Sequence, residues 1–174
     1  MLLAGLLVLA VLVCFSFVLL FGAPYLPTLG KQVAIALELA ELRPGQTLLE
    51  LGCGDGKVLV AAARRGVRAV GYELNPLLVA VAWARTRRYR GLVSVRWGNF
   101  WQAKWPETDV IFVFGLQRIM NRLNTKIEQS LTQAVNSATN ERRVKLVSFA
   151  FKVPGRKAIA SKGGVYLYEY HHSL

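Results

Sequence analysis

An apolar run that ends in three alternating glycines constrains this chain more than any other stretch. Thr47-Leu48-Leu49-Glu50-Leu51 reads as a buried strand, Gly52-Cys53-Gly54-Asp55-Gly56 as a turn, and Lys57 to Arg65 as a helix. Strand, glycine turn and helix in that order make a nucleotide-type binding loop, because glycines let the backbone turn tightly and approach a ligand closely. Glu50, two residues before Gly52, narrows the ligand. A loop that holds a pyrophosphate has no use for a carboxylate there, whereas a loop that holds the ammonium group of an amino acid does. The dinucleotide fingerprint fits worse, since its third glycine, counted from Gly52, would fall on Lys57. The alternative reading is a tight strand-to-helix turn with no ligand.

The rest of the chain alternates in the same way. Thr28 is a candidate N-cap for a helix over Leu29 to Leu42, and Arg43-Pro44-Gly45 signals a turn. Strands are predicted at Thr47–Leu51, Ala69–Glu73, Leu92–Trp97, Val110–Phe114 and Lys145–Phe151, with a last one at Val165–Tyr170. Helices are predicted from Gly56 to Arg65, from Pro76 to Gly91 with Asn75 as cap, and from Arg118 to Val135. Short apolar strands separated by helices imply an α/β fold with a mainly parallel sheet covered on both faces. Few residues follow the fifth strand, so the sheet is expected to be shortened at the C-terminus, with a final helix missing and the closing hairpin cut down.

Read as E-x-G-x-G-x-G, Glu50 to Gly56 resembles motif I of the class I S-adenosylmethionine-dependent methyltransferases. Glu73 supports that class. It ends the second strand in Gly71-Tyr72-Glu73-Leu74-Asn75-Pro76, where a carboxylate accepts hydrogen bonds from both ribose hydroxyls of an adenosine. A solvated strand-end acid is the bland alternative. After the third strand, where such enzymes often carry an acid facing the adenine amine, this chain has Asn99 in Gly98-Asn99-Phe100-Trp101; its amide oxygen still accepts from that amine. The candidate cofactor-contact residues are therefore Glu50, Gly52, Cys53, Gly54, Asp55, Gly56, Glu73, Leu74, Asn99 and Phe100. Cys53 reads as a small packing residue.

Asp109 to Gln117 ends where the methyl acceptor should arrive. The Asn/Asp-Pro-Pro-Tyr/Phe sequence of adenine and cytosine amino-methylation is absent, and so is a Pro-Cys pair. Phe114 and Gln117 are candidates to line the transfer channel, since aromatic faces stabilise a sulfonium or ammonium cation; ordinary core and cap roles are the alternative. No catalytic base stands out, and no metal cluster. His171 and His172 read as a solvated tail.

Four segments tighten the resemblance: Pro27 to Val33, Leu49 to Val58, Ala69 to Pro76 and Val113 to Met120. In this order they resemble the membrane-associated lysine methyltransferases, which include those of the ATP synthase c-subunit and the adenine nucleotide translocase. The resemblance covers Leu26 to Phe151. It implies a Rossmann-like methyltransferase fold and methyl transfer from S-adenosylmethionine to a lysine side chain, with S-adenosylhomocysteine as product. Asn99 in place of the usual acid, Gly30 and the short C-terminus depart from the family pattern.

Composition adds the membrane. With 174 residues there is room for one domain and an appendage. Met1 to Gly22 carries no charged side chain, which is enough for one spanning helix of roughly 20 apolar residues. It lacks the basic start and the cleavage site of a secretory signal. The expected division is an anchor over residues 1–23, a linker and lead-in helix over 24–45, and the methyltransferase domain over 46–174. All 22 basic and 10 acidic side chains lie at Lys31 or beyond, for a net charge of +12. The positive-inside rule then places the domain on the cytoplasmic or matrix side. Basic residues recur at Arg64, Arg65 and Arg68, at Arg85, Arg87, Arg88 and Arg90, at Arg142, Arg143 and Lys145, and at Lys152, Arg156, Lys157 and Lys162. Next to such an anchor they suit anionic lipid headgroups better than nucleic acid, and solubilising charge on helix backs is the bland alternative. The expected partners are a membrane protein with an accessible lysine and the bilayer through residues 1–22. The rivals are a methyltransferase of a small molecule or lipid and a non-catalytic module that binds the cofactor. A nucleic-acid methyltransferase ranks last.

Overall fold

The computed structural model describes residue 5 and residues 29–115, 117–135 and 143–171. The expected anchor, apart from Gly5, and the Thr28 cap lie outside these residues. Among the described residues no helix is long and apolar enough to cross a membrane.

The elements run α1 (Gly30–Leu39), β1 (Thr47–Leu51), α2 (Lys57–Ala63), β2 (Arg68–Glu73), α3 (Pro76–Thr86), a 3-10 turn (Arg87–Tyr89), β3 (Val93–Trp97), β4 (Val110–Val113), α4 (Gln117–Val135), β5 (Arg143–Phe149), β6 (Ala160–Lys162) and β7 (Val165–His171). They form one seven-stranded sheet of order β3-β2-β1-β4-β5-β7-β6. The first five strands are parallel, and β7 runs antiparallel to both β5 and β6. The chain leaves β1 towards β2 on one side and returns to β4 on the other. That reversal opens a crevice at the carboxyl ends of β1 and β4, where ligands bind in open α/β sheets.

Alternation along the strands sorts the core onto two faces. Leu48, Phe112, Val147 and Leu167 point to one face and pack with Val33, Ala36 and Leu37 of α1 and Val58, Leu59 and Ala62 of α2. Leu49, Leu51, Ile111, Val113, Leu146 and Tyr168 point to the other face, under α4. α4 meets them with Met120, Leu123, Ile127 and Leu131, all buried, at the spacing of one helical stripe. Each such side chain contributes about 1.5–3 kcal/mol on burial. Because α1 shares a continuous core with β1, β4, β5 and β7, the lead-in helix is packed into the sheet layer rather than strung ahead of it.

The closing hairpin, expected to be cut down, is short on one side only. β7 is not cut down: it pairs with β5 along its length, from Arg143↔His171 to Phe149↔Val165. Only β6 is short, at three residues. β5 stops at Phe149 because Ala150 adopts φ 71 and donates its N–H to the Gly164 carbonyl, which turns the chain out of the sheet. α1 likewise ends before Leu42, where Glu41 takes φ 53.

Candidate cofactor site

β1 and β2 deliver their ends side by side, and the loop between β1 and α2 folds over both. The Gly52 and Cys53 N–H groups both donate to the Tyr72 carbonyl at 2.9 Å, which staples the turn to β2. The Gly56 N–H closes the turn on the Cys53 carbonyl at 2.8 Å. Gly56 has φ 77, and a Cβ there would lie 3.2 Å from the Ala82 Cβ of α3. The turn therefore needs glycine both for its backbone and for the approach of the helix. Gly52, with φ 80, is different: a Cβ there would meet nothing within 4 Å. Its exposed face is the open cradle of the loop.

Glu73 is buried, not a solvated strand-end acid, at 7% exposure. Its Oε2 accepts the Gly54 N–H at 2.8 Å; its Oε1 accepts the N–H groups of Leu74 at 2.9 Å and Asn75 at 2.8 Å. A carboxylate oxygen has two acceptor sites. Glu73 thus shapes the glycine loop and keeps acceptor capacity for hydroxyl donors. Asn75 caps α3 through Oδ1, which accepts from Leu77 and Leu78 N–H groups, and Pro76 occupies the first turn.

Glu50 is buried as well, at 4% exposure, and its Oε2 has no hydrogen-bond partner. Burial drives its pKa well above the ordinary 4.5, and the neighbouring Asp55 and Glu73 carboxyls add to the rise; the Leu59 N–H, in the first turn of α2, works the other way. A buried carboxyl oxygen without a partner is costly unless something comes to meet it. The donor it lacks is a cation or a strong N–H group.

Asp55 does not share that environment. Burial works to raise its pKa, but ion pairs with Arg85 of α3 and Lys57 prevail and hold the carboxyl below its ordinary range. Its side chain pins the loop to two helices, which leaves its backbone as the candidate contact. Cys53 is buried, with its thiol pKa raised by burial and then by Glu50 and Glu73. It is a packing residue. Sequence reasoning missed its partner: a Cβ on Gly71 would sit 2.7 Å from the Cys53 Sγ and 2.7 Å from the Leu59 Cδ1. The glycine in Gly-Tyr-Glu was visible in the sequence, but not what crowds it.

The third part of the crevice follows β3. Asn99 turns its amide oxygen onto the Trp101 N–H at 2.9 Å, so this oxygen is already partly used. The segment is then tied down from α4 and from its own end. Lys126 donates to the Trp101 carbonyl at 2.8 Å, Arg122 stacks 4.3 Å from the Trp101 ring, and the Trp105 indole donates to the Phe100 carbonyl at 2.9 Å. Phe100 is half-buried beside Trp101, with ring centroids 4.7 Å apart.

Of the two channel candidates, Phe114 leaves the end of β4 and pairs with Phe149 at the end of β5, with ring centroids 4.6 Å apart. Gln117 is exposed and donates to the Lys152 carbonyl at 3.1 Å. Both stand at the carboxyl edge of the sheet. Phe149 was not anticipated, because pairing of two parallel strands cannot be read from one of them.

Comparison with known proteins agrees with this arrangement. Residues 50–160 match the profile of the ANTKMT methyltransferase domain. The human lysine N-methyltransferase of the ATP synthase c-subunit is 33% identical over 112 residues, covering 62% of this chain and 47% of that protein. The mouse adenine nucleotide translocase lysine N-methyltransferase is 30% identical over 157 residues, covering 86% and 64%. The chain thus spans about half the length of the mammalian c-subunit enzymes it matches. Among solved structures, an RNA methyltransferase from Salinibacter ruber, in complex with S-adenosyl-L-homocysteine, superposes with a TM-score of 0.72 at 26% identity, covering 84% of this chain and 93% of that one. A fold with the topology of a Rossmann-like methyltransferase, a glycine loop over two buried acids and a profile match over more than half its length lead to one conclusion: this chain belongs to the ANTKMT methyltransferase domain family.

Proposed function

We propose that this protein binds S-adenosylmethionine at the carboxyl ends of β1 and β2 and transfers its methyl group to a lysine side chain of a membrane protein. The observation that carries the cofactor assignment is the unpartnered Glu50 carboxyl oxygen two residues before Gly52, whose own face is open. These residues fit the group. Glu50 would receive the amino acid ammonium, the glycine loop backbone would lie along the methionine portion, Glu73 would accept the ribose hydroxyls, and the Asn99–Phe100 segment would border the adenine. When bound, the cofactor supplies a methyl group already activated by its sulfonium.

The protein's share of the chemistry is then placement and exclusion of water. Alignment of nucleophile and electrophile replaces much of the entropic cost of the encounter. In this reading the Phe114–Phe149 pair borders the path of the acceptor, and its ring faces suit the sulfonium and the ammonium that forms as the lysine takes the methyl group. A lysine must also arrive without its proton, which a dry site favours.

The lysine acceptor is supported by the names of the relatives, which are lysine N-methyltransferases. The membrane setting is supported by the uncharged residues 1–22 and the basic remainder. In this reading residues 1–23 anchor the chain, the domain works at the cytoplasmic or matrix face, and enzyme and target share a plane that raises their effective concentration.

The test is calorimetric titration of the full chain in detergent with S-adenosylmethionine and with NAD, followed by incubation with radiolabelled cofactor and native membranes. The reading expects saturable binding of the first ligand alone, and label in protein as methylated lysine. Label confined to an organic extract or to RNA would reassign the substrate. No binding by the folded protein would remove the enzyme reading altogether.

A further inference from the structure

A groove of about 790 Å³ lies between α1, α2, α3 and the 3-10 turn. Its two walls differ. One side is apolar: exposed Ala34 of α1 and half-buried Ala61 of α2, over the edges of the buried Val33, Leu37 and Val60. Arg64 and Arg65 from the end of α2, with Arg87 and Arg88 from the 3-10 turn, line the other; Lys57 and Arg85 stand at the end nearest the glycine loop. None of the described lining residues is acidic. Asp55 occupies Lys57 and Arg85, and Arg64 is held by the Tyr89 hydroxyl at 3.4 Å. Arg65, Arg87 and Arg88 are exposed and make no ion pair among the described residues.

We infer that this groove seats an anionic phospholipid, with the headgroup phosphate on Arg65, Arg87 and Arg88 and the start of an acyl chain along the α1 wall. A free anion would explain the arginines but not the apolar wall. An apolar peptide would explain the wall but not the uncompensated charge. An amphiphile with a negative head matches both, and charge near a bilayer surface attracts such heads. The groove also begins at Gly30, a few residues after the uncharged segment ends, which brings it to the bilayer surface if that segment is the anchor. The inference rests on the anchored reading above, and the two fail separately. Carbonate-resistant retention in membranes tests the anchor, and headgroup selectivity tests the groove.

The test uses the full chain in nonionic detergent, with native mass spectrometry after addition of phosphatidylglycerol or phosphatidylcholine of the same acyl chains. Phosphatidylglycerol adducts should exceed phosphatidylcholine adducts by about ten-fold. The triple variant Arg65→Glu/Arg87→Glu/Arg88→Glu should lose that preference and still bind S-adenosylmethionine. Ala34→Trp, which fills the apolar wall without touching charge, should also reduce retention and serves if the triple variant does not fold. Equal retention of both lipids overturns the inference, whether or not the chain's own N-terminal segment fills the groove. Displacement by millimolar inorganic phosphate, or preference for a short single-stranded RNA, overturns it as well.

Discussion

Glu73 Oε2 accepts the Gly54 N–H at 2.8 Å, a hydrogen bond between residues 19 apart that joins the end of β2 to the glycine loop. The acid expected to meet a ribose is therefore also a structural member of the loop beside it. Its other oxygen holds the first residues after β2, so one carboxylate organises both turns of the crevice.

Replacing Glu73 should cost stability and affinity together. Glu73→Ala leaves buried backbone donors unpaired, each costing roughly 1–3 kcal/mol. Glu73→Gln should be nearly as harmful, because its amide nitrogen would face the Gly54 N–H donor to donor. Both variants should melt earlier and bind S-adenosylmethionine at least several-fold more weakly. Wild-type affinity in Glu73→Gln, measured by calorimetry, would falsify the shared role.

Glu50 should show the opposite sign on stability. Its folded pKa lies above the ordinary 4.5, so the folded chain holds a proton that the unfolded chain releases between these values. Stability contributed by this group is full below 4.5 and falls as pH rises through the raised pKa. Glu50→Gln removes that loss, and should melt at a higher temperature than wild type at pH 7. It should bind S-adenosylmethionine more weakly, since no carboxylate meets the ammonium. Wild-type affinity should rise with pH through the same window as Glu50 ionises. Thermal melts and titrations from pH 5 to pH 8 check each sign; a destabilised Glu50→Gln with normal affinity would end the assignment.

Gly71→Ala tests the contact beneath the loop. Its Cβ would meet the Cys53 Cβ and Sγ and the Leu59 Cδ1, each at 2.7 Å, so β2 and the loop must separate. Overpacking of this kind costs about 1–3 kcal/mol. The loop shift should weaken cofactor binding as well, and Gly71→Ala/Cys53→Gly should regain part of both losses, as contacting residues do in a double-mutant cycle. Strict additivity of the two substitutions would show that they do not meet.

Phe114 separates a channel role from a core role. Phe114→Leu keeps an apolar filler against Phe149 but removes the ring face, an interaction of about 0.5–2 kcal/mol with a cation. Turnover on a membrane-protein acceptor should fall by up to about thirty-fold with the S-adenosylmethionine dissociation constant unchanged. If only the melting temperature moves, Phe114 is packing.

Much of this protein was determined locally. The strand order of apolar runs, the glycine turn between β1 and α2, the Asn75–Pro76 helix start and the acids at positions 50 and 73 all depend on periodicity and short-range backbone preference, which a single sequence carries. Tertiary structure alone decided what those groups do. Glu50 and Glu73 stand at the ends of adjacent strands, yet the first keeps one oxygen without a partner and the second takes three backbone donors, because only the second lies where the Gly54, Leu74 and Asn75 N–H groups converge. Asp55 reads in sequence as a third acid of the loop, but Arg85, thirty residues on and one helix away, takes its charge. The pairing of β7, though not its extent, was hidden for the same reason: its register is set by β5, and the two meet only when the sheet has formed. Contacts between distant segments follow from how the layers pack, and packing is a property of the folded chain as a whole.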